Sequence, residues 1–335
     1  MSDVAARAGV SPATVSRALR GQTSVSPGTR DRVMRAAAEM HYVVSPAASG
    51  LATGRTATVG VIAPRVTQWY YGRVVAAAGR GLRDHGLDLL LYNLGDAAGR
   101  TRFFERMPLR RRVDAVLFLA VELAEAEIES LRRLQVPVVV VGCAVPGWWS
   151  VRIDDVGGAA KAVSHLINLG HRDIGMLSST VEPGFTFPAP DDRLRGYEQA
   201  LHTAGLERLP RFEAAAPWGV DGGAAAMAEL LGAQPQPTAV FAESDEVGFG
   251  ALRTLRRAGV RVPRQLSVVG FDDHEMSDLL DLTTVAQPVS EIGQQAARLL
   301  IGALEQPGQT PRSVVLPTRL VVRATTGPPH RERSA

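Results

Sequence analysis

Residues 3–19, DVAARAGVSPATVSRAL, bring together features suited to binding a polyanion. One short alanine-rich segment stops at Gly9. Another begins at Ser11-Pro12, where serine caps a helix and proline tolerates its first turn. Ala5, Ala6 and Ala8 are small enough for two helices to cross closely at the Gly9 turn. The second helix then offers its dipole-positive end to a phosphate or to the major groove. Charge is distributed accordingly: residues 1–56 hold seven arginines against Asp3, Asp31 and Glu39, while the other 279 residues hold 30 basic and 31 acidic side chains. Lys161 is the single lysine, a bias that coding composition explains, so the placement of the arginines carries the argument and their number does not. Other chemistry lacks a signature. The sequence has no G-x-S-x-G, no P-loop, no metal-spaced His/Cys cluster and no G-x-G-x-x-G after a strand, so no enzyme, metal or cofactor is expected. The glycine pairs at 157–158 and 222–223 read as turns.

Three helices must position the N-terminal residues. The first covers about 3–8 with Ser2 as N-cap. The second carries Val15, Ala18 and Leu19 on one face, and the third follows Ser26-Pro27 with Val33, Ala37 and Met40 at helical spacing. Residues 43–57 are small and aperiodic and read as a linker. From Thr58 onward, apolar strands alternate with amphipathic helices. Strands are predicted at 58–63, 87–92, 113–119 and 136–141, then at 173–178, 238–243 and 267–271. Helices fall at 158–169, 193–204, 246–258 and 289–304, and two short strands within 313–323. Repeated βαβ units imply parallel sheets covered on both faces. The chain of 335 residues, 45% hydrophobic and 21% charged, is long enough for two or three domains. Cys143 is the lone cysteine, which suits a reducing compartment. With no signal-peptide core and no membrane-length apolar run, a cytoplasmic location without membrane contact is expected.

The phrase A-x-x-A-G-V-S-x-x-T-V-S-R-x-L at residues 5–19 resembles the LacI/GalR family of bacterial transcriptional regulators. The resemblance extends over nearly the whole chain, through residues 25–42, 51–62, 111–119, 154–178, 262–273 and 282–288. It implies an all-α helix–turn–helix headpiece (1–43), a hinge (44–57) and an α/β two-lobed, periplasmic-binding-protein-like core with parallel sheets (58–326). The N-lobe takes about 58–154 and 288–316, the C-lobe about 155–286 and 318–326, and a disordered tail 327–335. Relatives usually carry a few more residues ahead of the first helix, which leaves open a start upstream of Met1.

The resemblance also implies roles. Pro12, Ala13 and Arg17 match positions that read base edges: arginine bonds bidentately to guanine, and alanine offers only apolar contact. The alternative for Pro12 is helix initiation alone. Thr14, Ser16 and Ser24 would contact phosphate. In the hinge, Leu51 matches a leucine that wedges into the minor groove and Ala48 an alanine that packs on its partner copy. Val44, Ser45, Pro46 and Gly50 depart from the usual pattern, and Gly50 costs a hinge helix about 1 kcal/mol.

Between the lobes, Arg193 fits the family's R-x-x-G-[YF] pattern, where a guanidinium fork suits a carboxylate or paired hydroxyls. Asp272 follows a strand end, where open parallel sheets place ligands. Trp218 offers a platform for a sugar ring. Tyr70 and Tyr71, after Trp69, would line the first lobe, and Asp245 matches the aspartate of an Asn-Asp pair whose asparagine is Ser244 here. The alternatives are helix N-caps for Asp245 and Asp272, and core packing for Tyr70 and Trp218. His171 is expected to be structural. Together these residues imply a homodimeric, sugar-responsive repressor on a double-stranded, pseudo-palindromic DNA operator. Arg193→Ala is then expected to fold and bind DNA but ignore the effector. A periplasmic-type sugar-binding protein is the competing reading, disfavoured by the helix–turn–helix.

Overall fold

The computed structural model describes residues 1–19, 23–42, 55–180 and 183–330. The chain separates into two units, residues 1–57 and 58–335. Ala48 and Leu51 lie outside the described residues.

In the first unit, α1 (Ser2–Ala8), α2 (Pro12–Leu19) and α3 (Pro27–Glu39) enclose Val4, Ala5, Ala8, Val15, Ala18, Val25, Val33, Ala36 and Ala37. Ser2 is the first helical residue and not a cap. The N-cap is Met1, which makes no side-chain cap bond. Gly9 closes α1 in the left-handed region (φ 65°), and its N–H reaches the carbonyls of Ala5 and Ala6. Ser11 Oγ accepts from the Thr14 N–H at 3.1 Å, and Ser26 caps α3 through the Thr29 N–H.

The second unit holds two six-stranded sheets. In chain order, the first lobe contains β1 (Thr58–Ala63), α4 (Trp69–Arg83), β2 (Asp88–Asn93), α5 (Ala97–Arg106), β3 (Ala115–Leu119), α6 (Glu125–Arg132), β4 (Val138–Val141) and β5 (Trp149–Ile153). The second lobe follows with α7 (Asp155–Asn168), β6 (Ile174–Ser179), α8 (Pro188–Thr203), β7 (Glu213–Ala216), α9 (Val220–Leu230), β8 (Ala239–Ala242), α10 (Asp245–Arg257), β9 (Ser267–Asp272), α11 (Glu275–Leu279) and β10 (Thr283–Ala286). The chain then returns through α12 (Val289–Glu305), β11 (Ser313–Leu316) and β12 (Arg319–Val321).

The sheets run β11-β5-β4-β3-β1-β2 and β12-β10-β9-β8-β6-β7, parallel except at β10–β12. Each is a doubly wound βαβ sheet completed by one late strand. The chain therefore passes between lobes three times: into α7, into α12 and from β11 to β12. Strands such as β3, AVLFL, and β4, VVVV, are apolar throughout because helices cover both of their faces. Val59 and Val61 of β1 pack under α4 and α12, while Ile62 faces the opposite cluster with Phe103, Met107 and Leu131.

Five elements were not predicted: β5, β7, α9, β10 and the five-residue α11. The glycine pairs are not turns. Gly157 and Gly158 lie in α7, and Gly222 and Gly223 in α9. Their reason is close approach. A Cβ at Gly158 would stand 2.8 Å from Phe271, and one at Gly223 would stand 2.1 Å from the Val247 carbonyl. The tail reading also shifts. Gly327 is anchored, its carbonyl bonded to His171 Nε2 at 2.8 Å and Ser267 Oγ at 3.1 Å. His171, 1% exposed and bonded also to Thr238, is structural.

Candidate functional site

Two surfaces follow from this architecture, one on each unit. On the first, α2 buries Val15 and Ala18 and exposes Pro12, Ala13 and Arg17, with Thr14 and Ser16 half-buried beside them. At about 100° per residue, Pro12, Ala13, Ser16 and Arg17 fall within one arc of about 140°. Ser24 is exposed in the turn before α3. Thr14 Oγ1 shares a 2.9 Å hydrogen bond with Ser11 Oγ, so its hydroxyl also serves the helix start.

The second surface lies at the carboxyl ends of the second sheet, where β6 ends in Ser179, β9 ends in Asp272 and Glu243 follows β8. α8 begins at Pro188, five residues before the predicted start, so Arg193 projects from its second turn and not from a loop. The side chain is buried. Nε donates to Asp155 Oδ1 at 2.9 Å, Nη1 donates to the Glu243 carbonyl at 2.7 Å, and Asp272 Oδ1 stands 3.7 Å from Nη1. The guanidinium carbon lies 3.8 Å from the centroid of the Phe271 ring. Gln287 Nε2 donates to Asp272 Oδ1 at 2.6 Å. Asp272 itself adopts φ 127°, a strained backbone for a residue with a side chain, and strain of this kind concentrates at ligand sites.

Burial raises the carboxyl groups of Asp155, Asp272 and Glu243 above the usual carboxylate range, with the Arg193 charge opposing it at each. The first lobe contributes rings. Tyr70 is half-buried and Tyr71 buried, edge-to-face at 5.4 Å and 78°. Burial raises both phenols, and the charges of Arg193 and Asp272 act on each. The structure thus brings Tyr70, Tyr71, Arg193 and Asp272 into one electrostatic neighbourhood.

The other two predicted residues are engaged elsewhere, although the charge of Asp245 acts on Asp272. Trp218, half-buried between β7 and α9, donates its indole N–H to Glu246 Oε2 at 3.0 Å and is tied to α10. Asp245 is fully buried and occupied. Oδ2 accepts from the His274 N–H (2.9 Å) and Ser277 Oγ (2.6 Å), and Oδ1 from Thr284 Oγ1 (2.6 Å). It fastens α11 and β10 beneath the site and is not offered to a ligand. Nor does it cap: the α10 N-cap is Ser244, whose side chain accepts from the Val247 N–H. Trp69 bridges the lobes, bonding through its indole N–H to Glu275 and lying 4.7 Å from the His274 ring at a tilt of 34°.

The profile for bacterial regulatory proteins of the lacI family matches residues 1–45, and that for periplasmic binding protein-like domains matches residues 163–326. The HTH-type transcriptional repressor CytR of Escherichia coli (strain K12) is 33% identical over 331 residues, 97% of this chain and 96% of that protein. The chain belongs to the lacI family of bacterial regulatory proteins. Like that family, it is a DNA-binding transcriptional regulator with a helix–turn–helix and a two-lobed core. Two solved lacI-family structures bear on both ends of the molecule. A transcriptional regulator CelR–cellobiose complex is similar at TM-score 0.73 and 34% identity, covering 96% of this chain and 98% of that one. The lac repressor dimer bound to operator and the anti-inducer ONPF is similar at TM-score 0.85 and 26% identity, covering 97% and 98%.

Sequence reasoning missed Asp155, Glu243 and Gln287. The doubled acid Asp154-Asp155 at a helix start was a visible signal. Asp154 is the cap, accepting from the Gly157 N–H at 2.9 Å, which frees Asp155 to turn toward Arg193. Arg193 also needs a correction. As the cation held between buried carboxyl groups, it supports the fold, so Arg193→Ala cannot be a silent substitution for stability.

Proposed function

We propose that this lacI-family regulator is a repressor that binds a pseudo-palindromic operator as a homodimer. In this reading its affinity for the operator changes when a sugar or sugar-like molecule enters between the lobes. A single headpiece buries too little surface for specific binding, whereas two recognition helices one DNA turn apart supply enough. Pro12, Ala13 and Arg17 on the outer arc of α2 read base edges. Thr14, Ser16 and Ser24 hold phosphates, and Leu51 with Ala48 acts at the minor groove. The effector lies against Tyr70 and Tyr71 on one side and Arg193 with Asp272 on the other. Asp245 organises that cleft through its bonds to His274, Ser277 and Thr284. The protein works in the cytoplasm and catalyses no reaction.

The observation that carries this reading is the strained, buried Asp272 paired with Arg193 at the carboxyl edge of a doubly wound sheet, in a chain whose other unit is a helix–turn–helix. A ligand bound there acts only through different affinities for two lobe arrangements. Gel-shift titration against DNA from the protein's own promoter region, with and without a sugar panel, tests it. A specific band that one sugar strengthens or weakens is expected, and uniform binding to all fragments would refute it. Arg17→Ala should lose about 1–3 kcal/mol on the specific fragment and relax one base preference per half-site. Equal loss on random DNA would reduce Arg17 to a phosphate contact.

A further inference from the structure

The wall around Arg193 is acidic, and two of the three guanidinium nitrogens are already engaged. Nε serves Asp155, Nη1 serves the Glu243 carbonyl, and the flat face lies on Phe271. Asp191 and Asp192, earlier on α8, add negative potential at Glu243 and Asp155 respectively. A ligand anion arriving here would meet carboxyl groups around a guanidinium whose Nε and Nη1 are already engaged, with Nη2 alone outside those bonds.

Glu243 supplies an independent observation. It is wholly buried, with relative exposure of 0%. Its Oε1 accepts from the Ser179 N–H at 2.7 Å, which holds the carboxyl over the ends of β6 and β8. Its Oε2, equally buried, has no hydrogen-bond partner. Buried polar atoms are nearly always paired, because leaving one unpaired forfeits its interaction with water for nothing. Here the unpaired atom stands at the sheet edge where such folds hold ligands, next to the arginine proposed to face one.

We propose that Glu243 selects the effector: its open oxygen pairs with a ligand hydrogen-bond donor, and the surrounding acids restrict effectors to uncharged or cationic, donor-rich molecules, refusing phosphorylated and carboxylated sugars. This rests on the reading of the cleft as the effector site. It narrows the chemical class beyond what a guanidinium fork alone suggests, since a free fork would welcome the anions that this wall repels.

The test uses the full chain and matched probes in thermal-shift and calorimetric titrations. The probes are glucose, ribose and cellobiose, then glucosamine, then glucose 6-phosphate and glucuronate, with adenosine as a donor-bearing molecule that is not a free sugar. Binding is expected among the neutral and amino probes, with the phosphate and the uronate at least tenfold weaker than their parent. Glu243→Gln keeps an acceptor for the Ser179 N–H and converts the open oxygen to an amide NH₂. It should weaken the bound probe at least tenfold, and Glu243→Asp, one methylene short, should do the same if the glutamine variant fails to fold. Tighter binding of the phosphate or uronate than of its parent would overturn the proposal. So would unchanged affinity in a folded Glu243 variant, and in that case the sugar reading would survive. Glu243-dependent binding of adenosine with no response to any sugar would instead remove the sugar reading and leave the selectivity of Glu243 standing.

Discussion

The two lobes share one strand order and differ in what they place at its end. In the first sheet, β1 runs out at Ala63-Pro64, β3 at Ala120 and β4 at Gly142, small residues that bring no charge. In the second, β6 ends at Ser179, β8 leads to Glu243 and β9 ends at Asp272, with Arg193 crossing among them. The fold supplies the same edge twice: the first carries Asn93 at the end of β2 and Arg65 just past β1, and the second gathers Arg193 among buried carboxyl groups. The first lobe answers with the rings of Tyr70 and Tyr71 and the indole of Trp69. In the proposed effector site, hydrogen-bonding groups are thus concentrated on one lobe, opposite an aromatic face on the other.

That division can be broken by substitution, and the largest effect should come from its charged side. Arg193→Ala would strand the carboxyl groups of Asp155 and Asp272 without their cation. Removing one partner of a buried pair typically costs about 3–5 kcal/mol. Urea unfolding at pH 7 should show that loss, and a midpoint equal to wild type would mean that the acids do not depend on Arg193.

Asp245 sharpens the comparison through pH. Burial raises it from 3.8 to about 6, against the hydrogen bonds from Ser277, Thr284 and His274. The folded chain therefore holds this proton more tightly than the unfolded chain. Its stabilising contribution is complete below the unfolded value and is lost as pH rises through the folded one. The loss falls between the unfolded carboxylate range and the raised folded one, and it is shared with Asp272, whose charge interacts with that of Asp245. Asp245→Asn can keep the His274 and Ser277 bonds and donate to Thr284, and it does not titrate. Urea midpoints measured from pH 4 to pH 7 should fall for wild type relative to the variant. Parallel curves would show that Asp245 ionises normally in the fold.

The smallest effect belongs to the first lobe. Tyr70→Phe removes a neutral hydroxyl and keeps the ring that meets Tyr71. Stability should change by about 1 kcal/mol or less, and effector affinity by severalfold at most. A loss as large as that of Arg193→Ala would place the polar anchor of the cleft on both lobes.

What could be read beforehand follows the physics of each segment. Strands such as VLFL and VVVV announce themselves because burial on both faces demands unbroken apolar runs. β7, EAAA, and β10, TTVA, are four residues each of small or polar side chains, and only pairing with β6 and β9 makes them strands. The glycine pairs misled for the opposite reason. A helix with glycines is weak alone, and Gly223 and Gly250 become intelligible only where α9 and α10 nearly touch. At the site, Arg193, Tyr70 and Tyr71 were legible from their motifs. Glu243 was not, because nothing near it in sequence says that its carboxyl will be walled in with one oxygen unpaired.

The three passages between lobes carry a mechanical consequence. Each is riveted to the second lobe by a side chain: Asp155 by Arg193, Gln287 by Asp272, and Thr318 by Lys161 Nζ, which donates to its carbonyl at 3.0 Å and its hydroxyl at 3.1 Å. The three passages are thus tied to the second lobe by side chains, while β11 also pairs with β5 in the first. Two of the three rivets are made of the same carboxyl groups that line the cleft. In the proposed effector site, a guest that competes for Asp155 or Asp272 would loosen these ties, so the groups that read the ligand would also set the stiffness of the joint.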